Sequence, residues 1–153
     1  CLSDIISYNE ENSSVVMKYF GQELFVMAEE KDGLESTGYL EAKAENMRLA
    51  GEEGLNLAIR QHKLDAVLVP TGGLPWVVDV LNGDCSSGHS CRPAAVSGYP
   101  SISVPAGYVG GLPVGISFIG QPYQEAKLIK MAFAYEQSTN IRRPPEFLRE
   151  VSI

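Results

Sequence analysis

The sequence predicts an α/β fold in which helices pack on a mixed β-sheet, and three observations support this class. Apolar residues recur at helical spacing through the first part of the chain. A short unbroken apolar run follows at residues 66–69, and two alternating strands separated by glycines then precede a last helical stretch. Because helices and strands alternate in this order, one layered α/β arrangement is expected. We expect residues 1–153 to form a single portion of one domain, divided into regions 1–63 and 64–153.

The residue pattern of the first region predicts an acidic helical hairpin. The first helix starts at the capping residues 12–14 and ends at Gly33, and its apolar stripe is Val16, Phe20, Leu24 and Met27. The second helix starts near residues 36–37, and its stripe is Leu40, Ala44, Met47, Leu55 and Ala58. Gly51 and Gly54 interrupt it, and we expect them to admit a closely packed neighbour rather than to break the helix. His62 lies at the predicted end of this helix, where a cation has a structural role.

The residue pattern of the second region predicts a strand, a long loop, a hairpin and a helix. The run at residues 66–69 ends at Pro70 and is typical of a buried strand. A loop of about 30 residues follows, and loops of that length are usually functional or disordered. Strands at 101–105 and 113–119 then form a hairpin. Pro122 is expected in the first turn of the last helix, with Glu125 near its N-terminus. The expected core stripe of this helix is Leu128, Met131, Ala132 and Tyr135.

Composition excludes several classes of function. The 153 residues contain 44% hydrophobic residues, and no apolar run reaches the roughly 18 residues of a membrane span. No signal peptide is visible, so a cytoplasmic location is expected, although a removed signal peptide would leave no trace. The chain lacks an initiator Met, and we expect further protein before it. The net charge of −7 arises within residues 1–60 and disfavours nucleic-acid binding.

The cysteine pattern predicts no metal site. Cys85, His89 and Cys91 form a cluster, but zinc needs four ligands, or three and a water, and this spacing matches no common pattern. A Cys85–Cys91 disulfide and reduced thiols both fit the count of three cysteines. A small hydrolase using Cys85 or Cys91 is a further hypothesis, for which no base or oxyanion hole can be placed.

The long loop carries the candidate substrate-pocket residues. It follows the end of a strand, where α/β proteins tend to place ligand contacts. The candidates are Thr71, Gly72, Gly73, Trp76, Asp79 and Asn82. The alternative is a rigid loop whose Trp76 fills the core. No phosphate-binding pattern surrounds Gly72-Gly73, so a nucleotide site is not predicted.

Three segments carry a resemblance to a known family. Residues 65–71, 98–107 and 111–120 are similar to the closing segments of amidase-signature enzymes. Residues 125–126, 134–137 and the Arg-Arg-Pro-Pro tail continue the similarity in the family's order, and residues 8–9 and 19–23 resemble its middle region. The resemblance implies a partial amidase-signature fold, the carboxy-terminal portion of an amidase domain.

The resemblance also implies a reaction and its participants. The family hydrolyses carbon–nitrogen amide bonds with a serine nucleophile, a second serine held through a cis peptide, and a lysine base, without metal or organic cofactor. These groups lie in a Gly/Ser-rich signature that this sequence does not contain. Ser86-Ser87-Gly88 superficially echoes it, but stands after the strand at 66–69 and has no neighbouring lysine. The sequence therefore predicts no catalytic residue and no activity of this chain alone.

Two functional hypotheses follow. In the first, the chain shapes the substrate pocket of an amidase, with the loop after Pro70 walling its acyl side; its partners are the missing amino-terminal part and a small amide substrate. In the second, it is a non-catalytic interaction module or pseudoenzyme remnant. Sheet edges left by a missing part invite pairing, so a homo-oligomer is expected. Arg142 and Arg143 are expected to pair with the acidic helices.

Overall fold

The chain forms two compact units, Cys1–Ala42 and Lys43–Ile153, in a computed structural model that describes residues 1–83 and 88–147. Within these described residues, no helix combines the length and the apolar character that crossing a bilayer requires. The predicted single domain with a division after residue 63 stays a prediction.

The first unit consists of short helices. They are α1 (Leu2–Glu11), α2 (Ser13–Val16), α3 (Glu23–Glu29) and the start of α4 (Thr37–Met47). The predicted continuous helix over residues 12–33 is wrong, because the chain turns before α3. Gln22 fixes this turn to α1: its Oε1 accepts a hydrogen bond from Asn9 Nδ2 (3.1 Å) and its Nε2 donates to the carbonyl of Ile6 (3.1 Å). The predicted stripe is not buried here, since Leu24 is 78% exposed.

One long helical stretch contains a π-helical segment in its middle. After α4, a π-helix covers Arg48–Asn56 and α5 covers Leu57–His62, so His62 does end a helix. The prediction that Gly51 admits a close neighbour is confirmed, because a Cβ there would lie 3.4 Å from both Ser97 Cβ and Tyr99 Oη. Gly54 has a different role. A Cβ on it would lie 2.6 Å from the carbonyl oxygen of Leu49, so the π-helix itself requires the absent side chain.

The described sheet has three antiparallel strands in the order β1-β3-β2. These are β1 (Val67–Pro70), β2 (Ser101–Val109) and β3 (Leu112–Ile119). The predicted hairpin is confirmed, since β2 and β3 pair on either side of Gly110-Gly111. A bulge between Pro105 and Gly107 shifts the register of this pair. The α/β class with helices packed on a sheet is thus present.

Two expectations for the chain between residues 66 and 100 are wrong. The strand at 66–69 was predicted to be buried, but β1 is an edge strand of the described sheet and its Leu68 is 57% exposed. An edge strand covered on one face alternates between half-buried and exposed side chains, as β1 does. The predicted loop also contains a helix, α6 (Arg92–Ser97), with Pro93 in its first turn and Gly98 as a left-handed C-cap.

Helix α7 (Glu125–Thr139) covers the sheet. Pro122 precedes it rather than joining its first turn, because Gln124 is the N-cap; Glu125 does lie in that first turn. Leu128 and Ala132 are buried, and the Tyr135 ring meets the Phe118 ring edge-on at 6.3 Å. Among residues 1–83 and 88–147, the buried apolar residues are Ile59, Ala94, Val104, Ile119, Leu128 and Ala132.

Candidate functional site

A row of three hydroxyl groups crosses the sheet beside the candidate loop. Ser117 of β3 is 5% exposed, and its Oγ lies 2.7 Å from Thr71 Oγ1 and 2.8 Å from Ser103 Oγ. Ser103 is the register partner of Ser117, so both side chains are on the same face of the sheet. The row therefore ties the side chain that begins the loop to the two strands of the hairpin.

The backbone of the same loop is held from two sides. On one side, Thr71 N donates to the carbonyl of Gly115 in β3 (2.9 Å). On the other, the segment after residue 88 folds back over it, and Ser90 N donates to the carbonyl of Thr71 (3.3 Å). Ser90 Oγ donates to the carbonyl of Pro70. Hydrogen bonds with β3 and with the returning segment thus fix the backbone of Thr71.

Gly72 is needed where these two segments meet. It forms an isolated antiparallel bridge with His89. A Cβ on Gly72 would lie 2.8 Å from His89 Nδ1, closer than real Cβ atoms approach. Gly73 N donates to the carbonyl of Gly88 at 3.3 Å and extends the pairing by one residue. The three residues Thr71, Gly72 and Gly73 therefore form a rigid backbone segment.

This segment lines an open cavity with a volume of ≈ 580 Å³, which we call the Thr71 cavity. Its apolar walls come from Pro75, Val104, Pro105, Pro113 and Val114. Its polar side chains are Thr71, His89, Ser103, Tyr108, Arg142 and Arg143. Volumes of this size are typical of small-molecule sites.

The remaining candidates lie elsewhere. Trp76, Asp79 and Asn82 line a second cavity of ≈ 740 Å³, which we call the Trp76 cavity and which includes none of the first three candidates. Trp76 is 37% exposed and its ring lies 6.2 Å from the His89 ring, so it does not fill the core as the alternative expected. The structure therefore divides the six candidates into two groups of three.

Asp79 and Asn82 bind mainly each other. Asp79 Oδ1 accepts hydrogen bonds from the backbone N–H of Leu81 (2.9 Å) and Asn82 (3.0 Å), and its Oδ2 accepts one from Asn82 Nδ2 (2.7 Å). These donors favour the ionised carboxylate and lower the pKa of Asp79, the backbone N–H of Asn82 most of all. The pair forms a turn at the Trp76 cavity, and its contact with a substrate stays a prediction.

The expected pairing of the two tail arginines with the acidic helices is wrong for Arg143. Its guanidinium stacks over the Tyr108 ring at 3.9 Å from the centroid, and its Nη1 lies 3.3 Å from Glu146 Oε1. Its backbone N–H also donates to Tyr108 Oη at 3.1 Å. These contacts hold the tail against the hairpin, because Tyr108 lies in β2.

Some predicted features fall outside the described residues. Cys85, Ser86 and Ser87 lie there, so the disulfide and the serine look-alike are not described; Cys91 is exposed. Within residues 1–83 and 88–147, no three His, Cys, Asp or Glu side chains are grouped to hold a metal ion.

The family model named Amidase matches residues 4–129, which is most of the sequence. The chain belongs to the amidase family. A probable amidase of Arabidopsis thaliana is 41% identical to this amidase-family chain over 150 residues, which are 96% of the chain and 26% of that protein.

Solved structures show the same relationship. A peptide amidase in complex with the competitive inhibitor chymostatin is 46% identical, with a TM-score of 0.92 over 96% of this chain and 30% of its own. The native peptide amidase of Stenotrophomonas maltophilia is 45% identical, with a TM-score of 0.87 over 96% of this chain and 29% of its own. The fold is therefore a partial amidase fold, and the amidase-family chain spans 26–30% of the length of these relatives.

The hydroxyl row is expected to stabilise the amidase-family chain measurably. Ser117→Ala should lower the free energy of unfolding by about 1–3 kcal/mol, because it removes the central partner of two hydroxyls. Thr71→Val removes one of the same hydrogen bonds, so the two changes together should differ from their sum by at least about 0.5 kcal/mol. Urea denaturation of the two single variants and the double variant measures this coupling.

Ser101→Ala is the matched control for this cycle. Ser101 lies in the same strand as Ser103 and is exposed, so the change should stay within about 0.5 kcal/mol. Additive effects of Thr71→Val and Ser117→Ala would show that the row does not act as a unit.

Proposed function

We propose that this chain is the carboxy-terminal part of an amide hydrolase and forms one wall of its substrate pocket. The observation that carries the proposal is the rigid Thr71–Gly73 segment, which is hydrogen-bonded on both sides and lines a concave cavity of ≈ 580 Å³. Membership of the amidase family supports hydrolysis of a carbon–nitrogen amide bond as the reaction of the complete protein.

In this proposal, the nucleophile and its base are supplied by a part of the complete protein that lies outside residues 1–153. A serine hydroxyl attacks a carbonyl only when a neighbouring base takes its proton. The hydroxyls of Thr71, Ser103 and Ser117 instead bond one another, an arrangement that fixes side chains without activating them. The 153 residues also contain no Gly/Ser-rich signature of the family.

The chemistry left to this chain is positioning. An amide bond reacts fastest when its carbonyl is held against the nucleophile and the oxyanion donors, and rigid walls supply that orientation. The apolar side of the Thr71 cavity suits the hydrocarbon part of a small amide. Similarity to peptide amidase structures, at 46% and 45% identity, supports a peptide-like carboxamide as the substrate.

Ammonia release tests the proposal. The protein expressed from its complete reading frame should release ammonia from N-acylated amino-acid amides, whereas residues 1–153 alone should release none. The opposite result would be amide hydrolysis by residues 1–153 alone that is lost in a Ser86→Ala, Ser87→Ala double variant. That result would contradict the proposal that the catalytic residues lie outside residues 1–153.

The second candidate function is a self-associating interaction module. It is favoured by apolar side chains at the surface of the described residues, such as Val77 (84% exposed) and Leu81 (91% exposed). The same protein preparation distinguishes the two functions. A complete protein that releases no ammonia, and whose sedimentation coefficient rises with concentration, would favour the interaction module.

A further inference from the structure

The Thr71 cavity has a charge opposite to that of the whole chain. The sequence has a net charge of −7, yet this cavity is lined by two arginines and by no aspartate or glutamate among the described residues. Arginine side chains at a concave surface with low-dielectric walls concentrate positive potential there. The cavity therefore attracts anions, although the chain as a whole is acidic.

The two arginines differ in what they contact. Arg143 is held by the Tyr108 ring and by Glu146, which neutralises part of its charge. Among residues 1–83 and 88–147, no carboxylate lies within ion-pair distance of Arg142, which is exposed at the cavity. Arg142 is thus the cation that a ligand can engage without breaking an existing pair of the described structure.

The rest of the lining selects the kind of anion. A guanidinium is planar and matches a carboxylate with two parallel hydrogen bonds. Three hydroxyl side chains, Thr71, Ser103 and Tyr108, also line the cavity. The prolines and valines that line the cavity offer no hydrogen bonds to a fully hydrated anion, but they suit an apolar body attached to a carboxylate.

We propose that the Thr71 cavity binds a small carboxylate with an apolar body, and that Arg142 holds its carboxylate group. The cavity is the one that the proposed function assigns to the substrate pocket, but carboxylate binding does not depend on hydrolysis, because it needs no nucleophile and the bound molecule need not react. A phosphate ion is the alternative anion, and it lacks the apolar body that the cavity walls would cover.

Calorimetric titration of the complete protein tests the proposal with three probes. They are 3-phenylpropionate, 3-phenylpropan-1-ol, which has the same body without the charge, and inorganic phosphate. We expect 3-phenylpropionate to bind at least tenfold more tightly than either of the other two. Arg142→Gln should weaken its binding about tenfold, since a charge-assisted hydrogen-bonded pair contributes roughly that factor.

Two control variants keep this test decisive. Arg92→Gln removes an arginine that lines a different cavity and should leave the affinity unchanged. Arg142→Lys keeps the charge but loses the planar pair of donors, and should give an intermediate affinity. The proposal is overturned if 3-phenylpropionate does not bind, if the alcohol or phosphate binds as tightly, or if Arg142→Gln retains the wild-type affinity.

These outcomes are separate from those of the hydrolysis experiment. A protein that releases ammonia but binds no 3-phenylpropionate would contradict the carboxylate site alone. A protein that binds 3-phenylpropionate through Arg142 and hydrolyses nothing would contradict the proposed reaction alone.

Discussion

Leu128→Ala is expected to lower the free energy of unfolding by about 2–5 kcal/mol, which is a large share of the stability of a typical domain. Leu128 is 2% exposed and packs directly against the backbone after β3, since a Cβ on Gly120 would lie 3.1 Å from Leu128 Cδ2. Truncation to alanine leaves a cavity between α7 and the sheet that neither element can close without moving. Urea denaturation followed by circular dichroism measures the loss.

Ile129→Ala is the matched control for this prediction. Ile129 is the next residue of the same helix and is 59% exposed, so its truncation should change the free energy of unfolding by no more than about 0.5 kcal/mol. Equal effects of the two variants would show that α7 does not pack on the sheet through Leu128.

Gly72→Ala is expected to lower kcat/KM of the complete protein for an amide substrate roughly 10- to 100-fold, because displacement of a positioning segment by about 1 Å can cost that much. The added Cβ would lie 2.8 Å from His89 Nδ1, so either the His89 ring or the Thr71–Gly73 backbone must move. The prediction rests on the proposed function, and steady-state kinetics of ammonia release measure it.

Gly33→Ala controls for the loss of a glycine in general. A Cβ on Gly33 would meet nothing within 4 Å, so kcat/KM should stay at the wild-type value. If Gly72→Ala also retained most of the wild-type kcat/KM, the Thr71–Gly73 segment would not be a wall of the substrate pocket.

Elements whose residues pack through a regular pattern could be predicted from the sequence. Helix α7 has Leu128 and Ala132 at helical spacing, and the hairpin has alternating strands around Gly110-Gly111. Short elements could not be predicted in the same way. Helix α6 has only six residues, too few for a periodic pattern, although Pro93 and Gly98 mark its two ends.

The hydroxyl row shows why the site could be predicted only in part. Val109 pairs with Leu112 across the turn, and an unbroken ladder from that pair would place Ser103 opposite Phe118. The bulge between Pro105 and Gly107 adds one residue to β2, so Ser103 pairs with Ser117 instead. A shift of one residue decides which side chains share a face, and this sequence alone does not reveal the bulge.

The division of the six candidates has a similar local cause. Thr71, Gly72 and Gly73 follow β1 directly, so the strand and the returning segment at residues 88–90 fix their position. Asp79 and Asn82 are placed by hydrogen bonds to each other. The six candidates are close in the sequence, but they line two different cavities.

The stability of the Asp79 turn depends on pH, because Asp79 is ionisable. Its three hydrogen bonds favour the ionised carboxylate, and they lower the pKa of Asp79 below its ordinary value of 3.8. A lowered pKa means that the stabilisation is fully present above the unfolded-state value and is lost as the pH falls through the folded-state value. Throughout the neutral range the Trp76 cavity therefore keeps a permanent negative charge at its rim, whereas the Thr71 cavity keeps the positive charge of its arginines. The chain thus presents two concave surfaces, one carrying the carboxylate of Asp79 and the other the guanidinium groups of Arg142 and Arg143.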